Sequence, residues 1–183
     1  MHSRKIAVAA LGVALVLVFF VSALAQAPSG PPKPGPEHER LAYFTGKWAV
    51  EGDSKASAYG PAGKFTFTQN CDWFEGKFAL VCHTNGTFMG MNVKGINVMS
   101  WDLNEKTYTY FETNTMGENV FARGAVQGDT WTWTNEGKMN GKTVRGRYVL
   151  KQDSADSATF KFEMAGEGEQ MQTIMTGKQS RAK

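Results

Sequence analysis

The sequence predicts an all-β fold, an antiparallel up-and-down barrel of about ten strands preceded by a short helix. Three observations carry that expectation. From residue 47 onward the chain is a succession of short stretches in which apolar and polar residues alternate, the period of a strand with one buried face. Each stretch is closed by Gly, Asn or Asp turn chemistry, so the connections are hairpin-sized and neighbours run antiparallel. Finally, consecutive short strands leave sheet edges exposed unless the sheet closes on itself.

The first residues read as an address rather than as part of the fold. His2, Arg4 and Lys5 form a basic start, residues 6–21 are an uninterrupted apolar run, and Ala23-Leu24-Ala25 is a small-x-small cleavage site before Gln26. Residues 1–25 are therefore expected to be a signal peptide, with an uncleaved anchor as the competing reading. The first cysteine is Cys71, which disfavours a lipid-anchored protein. Residues 26–36 carry five of the six prolines and read as a linker. That leaves 37–183 as one barrel domain of about 145 residues, enough for a single core. The expected location is periplasmic or extracellular.

Charge excludes one class of partner. The chain holds 20 basic and 17 acidic residues; without Arg4 and Lys5 the balance is 18 against 17, a net charge of +1. No run of Lys and Arg interleaved with aromatics occurs, so the footprint of a nucleic-acid binder is missing.

The helix is expected at 36–41, with Pro36 at its first position, acidic residues in the first turn, and Leu41 with Phe44 as its apolar face. It should brace one end of the sheet. Strands follow at about 47–54, 64–73, 78–85, 93–101, 107–112, 119–126, 130–135, 142–150, 158–164 and 171–178. If Gly76 and Lys77 are the central residues of a type II′ hairpin, Glu75 faces Phe78, Trp73 faces Leu80 and Cys71 faces Cys82. Counting from that turn makes the cysteines a hydrogen-bonded pair with Cα atoms about 5.5 Å apart, within reach of a disulfide. The same register gathers Phe65, Phe67, Cys71, Trp73, Phe78, Leu80 and Cys82 on the core face. A disulfide closing so short a loop would stabilise the hairpin by about 2–3 kcal/mol. The spacing matches neither a redox Cys-x-x-Cys pair nor a zinc knuckle.

Read together, Leu41-x-x-Phe44-x-Gly46-x-Trp48, Trp101-Asp102, Gly117, Gly124 and Gly128-Asp129-x-Trp131 give the chain a resemblance to the calycin superfamily of lipocalins and fatty-acid carriers. More closely, it resembles the small secreted bacterial proteins of the domain-of-unknown-function family DUF1579. The resemblance spans nearly all of the predicted domain. It implies that Trp48 packs at the closed end of the barrel under a basic side chain from the last strand, Lys178 or Arg181. A haem-binding calycin relative uses a histidine near the C-terminal end of its barrel, and here no histidine follows His83.

Candidate ligand-binding residues are the aromatics that share strand faces: Tyr108 and Tyr110, Trp131 and Trp133, Phe160 and Phe162. One reading is a pocket for a small apolar or amphipathic molecule, with tyrosine hydroxyls or amides as its few polar contacts. The competing reading is that these rings simply fill a structural barrel. Arg145 and Arg147 would suit an anionic ligand, but Val144, Tyr148 and Leu150 make the better inward face. Cu(I) handling through His83, Met89 and Met91 is a weaker alternative, because Met also fills irregular interiors. No Gly-x-Ser-x-Gly elbow, phosphate loop or His-Glu-x-x-His occurs, and Asp129, Glu136 and Glu163 read as solvated charges. The sequence therefore offers no catalytic residue, no metal site and no cofactor.

Overall fold

The first strand and the last lie side by side, and that pairing closes the sheet. The computed structural model describes residues 32–182, so the expected signal peptide and most of the expected linker lie outside the described residues. The ten strands are β1 (Gly46–Ser54), β2 (Gly63–Trp73), β3 (Ala79–Phe88), β4 (Met91–Asp102), β5 (Thr107–Asn114), β6 (Asn119–Gln127), β7 (Thr130–Met139), β8 (Lys142–Ser154), β9 (Ser157–Gly166) and β10 (Gln172–Arg181). Every sequential pair is antiparallel, and β1 also pairs with β10 from Trp48↔Arg181 to Ser54↔Met175. The result is a closed barrel with no free edge. Among the described residues no helix is long and apolar enough to cross a membrane.

The N-terminal segment plugs one end. Helix α1 (Pro36–Arg40) passes directly into a 3₁₀ turn over Leu41–Phe44. Leu41 and Phe44 drop into the barrel core, as their spacing requires. The plug is tied by polar bonds as well: Tyr108 Oη donates to the Glu37 carbonyl at 3.0 Å, and an Arg40 amino group donates to the Gly128 carbonyl at 3.0 Å. Trp48 Nε1 donates to the Phe44 carbonyl at 3.1 Å. Of the two cations considered for Trp48, Arg181 takes the role: its guanidinium lies 4.2 Å from the ring centroid and donates to the carbonyls of Tyr43 and Thr45. Lys178 points outward instead and pairs with Glu51 at 2.9 Å.

The cysteine register holds while the turn that motivated it differs. Cys71 pairs with Cys82 and Trp73 with Leu80, and the two thiols form a disulfide. The loop, however, is Glu75–Phe78, closed by Phe74 N–H donating to the Ala79 carbonyl at 2.8 Å. Gly76 has φ 82° and ψ −10°, the third position of a turn in which Lys77 N–H donates to the Phe74 carbonyl. Lengthening the loop by one residue on each side keeps every facing pair but inverts the hydrogen-bonding phase. The cysteines therefore occupy a non-hydrogen-bonded site, with Cα atoms 4.0 Å apart rather than about 5.5 Å.

The β3–β4 connection is also tighter than expected. Residues predicted to form a loop continue the ladder to Phe88↔Met91, so only Met89 and Gly90 remain between them. Both have positive φ, 50° and 80°, the geometry of a two-residue hairpin whose twist matches its strands.

Candidate functional site

Alternation along each strand sends every second side chain into the barrel, and the inward set divides by height. Toward the helical end the space is filled. Leu41, Phe44, Leu80, Tyr108, Trp131 and Leu150 belong to one buried cluster. Trp131 sits 5.0 Å from Phe44 and 4.8 Å from Tyr108 by ring centroids, edge to face, and stacks on Trp133 at 6.0 Å with planes 10° apart. Such aromatic geometries add to the area they bury.

The structure places all six sequence-predicted residues on inward positions, in two groups. Tyr108, Tyr110, Trp131 and Trp133 form a chain of touching rings, Tyr110 lying 5.7 Å from Trp133. Phe160 instead packs with Tyr148 at 5.3 Å and Phe65 at 6.2 Å. Phe162 lies one step further along the same face of β9, toward the end away from the helix, and is half-buried.

Several of these rings lie on glycine. Gly124 pairs with Trp133 and Gly177 with Phe160, and a Cβ at either glycine would overlap the partner ring. Gly52 stands in the same relation to Phe65, and Gly86 to Phe67. A glycine in a strand interior weakens the strand unless something covers it. Here the cross-strand aromatic covers it and is drawn against the barrel wall.

At mid-height a polar row interrupts the apolar lining. Gln69 on β2 faces Thr84 on β3, and Asn97 on β4 faces Glu112 on β5. Gln69 Nε2 donates to Asn97 Oδ1 at 3.3 Å, and Asn97 Nδ2 to Thr84 Oγ1 at 3.5 Å. Tyr110 Oη donates to Glu112 Oε2. Asn97 is only 2% exposed, so these groups must satisfy one another. Burial, then the Glu112 charge and the bond to it, push the Tyr110 hydroxyl well above the ordinary tyrosine range, and a bond to Asn97 offsets part of this. Tyr148, across the barrel on β8, is pushed up by burial and secondarily by the Glu112 and Tyr43 charges. A carboxylate thus sits beside Tyr110 and the amide row on the inward face of an aromatic barrel.

Glu112, Gln69, Thr84 and Asn97 were not among the residues expected from sequence. The alternation Tyr108-x-Tyr110-x-Glu112 contains the signal for the first, since the three share one strand face. Two other expectations change. Glu163 has outward parity but is not solvated: it is 5% exposed, bonded to Arg147 Nε at 2.6 Å and Lys161 Nζ at 2.8 Å. Burial opposes its charge, yet those two bonds and their charges hold its carboxyl below the ordinary range. Long cationic side chains have folded over it. Arg147 is thereby accounted for on the outer face, and Arg145 donates to the Glu169 carbonyl at 3.0 Å. Neither reaches the interior.

His83 is exposed at mid-strand on β3, six residues from Met89 at the hairpin tip. At strand rise that is roughly 20 Å. The three residues considered for Cu(I) are therefore spread along the barrel rather than gathered.

Two surface concavities lie apart from the interior. One, of about 490 Å³, is on the outer face over β10, β1, β2 and β3, lined by Glu51, Thr66, Thr68, Asn85 and Lys178. The other, of about 430 Å³, lies at the helical end between Arg40, Trp101, Thr107 and Val126.

A closed antiparallel barrel, plugged by a short helix and locked by a tryptophan under a cation from its last strand, is a calycin-like barrel fold. The chain belongs to DUF1579, described as a protein of unknown function, whose family profile matches residues 33–181. No curated protein matches the sequence. Among solved structures the chain is similar to Rv2717c from M. tuberculosis, at 14% identity and a TM-score of 0.58, covering 81% of this chain and 99% of that one. It is also similar to the S-type phycobiliprotein lyase CPES from Guillardia theta, at 12% identity and a TM-score of 0.54, covering 80% and 93%. At these identities the likeness is one of fold.

Proposed function

We propose that the barrel binds a small hydrophobic or amphipathic molecule in its interior and does so in the cell envelope, after export. The observation that carries this reading is the polar row. A barrel built only to be stable has no need of a carboxylate on its inward face, in a row with Gln69 and Asn97. Apolar walls with a few convergent polar groups are what a binding cavity requires. The aromatics Tyr108, Tyr110, Trp131, Trp133, Phe160 and Phe162 supply the apolar wall in this reading. Export is supported by the basic start, apolar run and small-x-small site in the sequence, and by a disulfide of the kind that persists in oxidising compartments.

A second reading is favoured by one specific observation. The stacked cluster around Trp131 fills the helical half, as a purely structural barrel would. Native mass spectrometry of the protein purified without detergent, before and after solvent extraction, separates the two. The carrier gives an extra mass that extraction removes. A bare mass, together with tryptophan emission that no apolar or amphipathic probe changes, supports the scaffold instead.

A further inference from the structure

We infer that the ligand carries a hydrogen-bond-donating head group, an alcohol or an amine, and that Glu112 receives it. This rests on the carrier reading and specifies the chemistry of the same site. Three features point to a donor. First, the row is linked within itself: the Gln69 amide donates to Asn97, the Asn97 amide to Thr84, and the Tyr110 hydroxyl to Glu112. Glu112 Oε1 has no partner among the described residues while Oε2 accepts from Tyr110, so the one charged group of the row keeps a free acceptor. Second, the charged group on the inward face at this height is negative. Of the basic side chains with inward parity, Arg181 is consumed at the closed end by Trp48 and by the carbonyls of Tyr43 and Thr45, and Lys142 stands exposed at the opposite rim, at the β7–β8 turn. Arg145 and Arg147, the two cations that would have suited an anion, are engaged on the outer face. Third, the buried donors without partners, Trp131 Nε1 and Gln179 Nε2, belong to the helical end, below the Glu112 level. Trp131 Nε1 is walled off by Phe44, Tyr108 and Trp133.

A carboxylate head placed beside Glu112 would bring two like charges together, whereas an ammonium would meet an opposite charge and a hydroxyl a free acceptor.

The test is a binding series with straight-chain alkyl probes that differ only in head group, an alcohol, an amine and a carboxylic acid. Affinity is read by the quenching of tryptophan emission in the full mature chain. The expected result is that the amine and the alcohol bind at least about tenfold more tightly than the acid at neutral pH. Glu112→Gln is expected to abolish the advantage of the amine and to bring the acid within about threefold of the alcohol. Acid binding as tight as alcohol or amine binding in the unmodified protein overturns the inference and leaves the carrier reading standing. Failure of all three probes to bind sinks both. The ranking in the unmodified protein is decisive by itself, so the result does not depend on how well the variant folds.

Discussion

The Arg181 guanidinium lies 4.2 Å from the centre of the Trp48 ring, and through that contact the last strand covers the first. The same guanidinium donates to the carbonyls of Tyr43 and Thr45, so one side chain ties together the plug, β1 and β10. Arg181→Met keeps the stem and removes the head, and it is expected to destabilise the fold by about 2 kcal/mol, from a cation–π contact and two charged hydrogen bonds. Arg181→Lys should recover less than half of this, because a single ammonium cannot cover the ring and reach both carbonyls. Urea midpoints of the three proteins check the order; a lysine variant as stable as the parent would refute the geometry.

Gly124→Ala tests the covering of glycine by aromatics. The new methyl group would sit within the Trp133 ring, and the rearrangement should cost about 2 kcal/mol. Gly137→Ala on β7 meets nothing within 4 Å and is the matched control, expected to change stability by less than about 0.5 kcal/mol. Equal effects at the two sites would show that the ring does not lie where described.

The disulfide closes a short loop, with a sequence separation of 11 residues. Reduction, or the double substitution Cys71→Ala with Cys82→Ala, is expected to lower stability by about 2–3 kcal/mol through the released chain entropy. Guanidinium unfolding with and without a reductant gives the number directly. Because the pair is buried in the core cluster, the reduced thiols should also resist alkylation until the protein unfolds.

Tyr110 and Tyr148 are both held neutral, chiefly by burial and then by the charge of Glu112. A group whose folded value is raised stabilises the fold fully below its unfolded value, about 10 for tyrosine, and loses that contribution as pH rises through the folded value. Near-ultraviolet absorbance and circular dichroism should therefore change together above pH of about 10, tyrosinate forming as the barrel opens. Smooth titration of these tyrosines near the ordinary value, with the circular dichroism intact, would show that they are not buried beside a carboxylate.

How far the sequence carries can be judged from particular residues. Cys71 and Cys82 were readable because facing pairs depend only on the centre of the hairpin, and a longer turn around the same centre preserves them. The spacing between their Cα atoms was not, because it depends on which pair closes the turn. The inward face of β5 was legible in Tyr108 and Tyr110, yet the reach of the Glu112 charge to Tyr148 was not. That juxtaposition is made by closure and twist, which bring β8 opposite β5, and no local pattern encodes it. Glu163 shows the complementary limit: alternation gave its direction correctly, but burial came from the stems of Arg147 and Lys161 on neighbouring positions.

The pairing of Trp48 with Arg181 also sets a clock. The first strand has β2 on one side as soon as that hairpin forms, but its other edge has no partner until β10 has been made. The two residues are 133 positions apart, 181 minus 48, which at ordinary rates of synthesis is a wait of about 7–27 s. Until then the chain is a curled sheet with two raw edges, and loops of this length make the final junction slow to find. Anything that keeps β1 from pairing early with the wrong strand, a chaperone or passage through a membrane before folding, would therefore act on the step that decides whether the barrel forms at all.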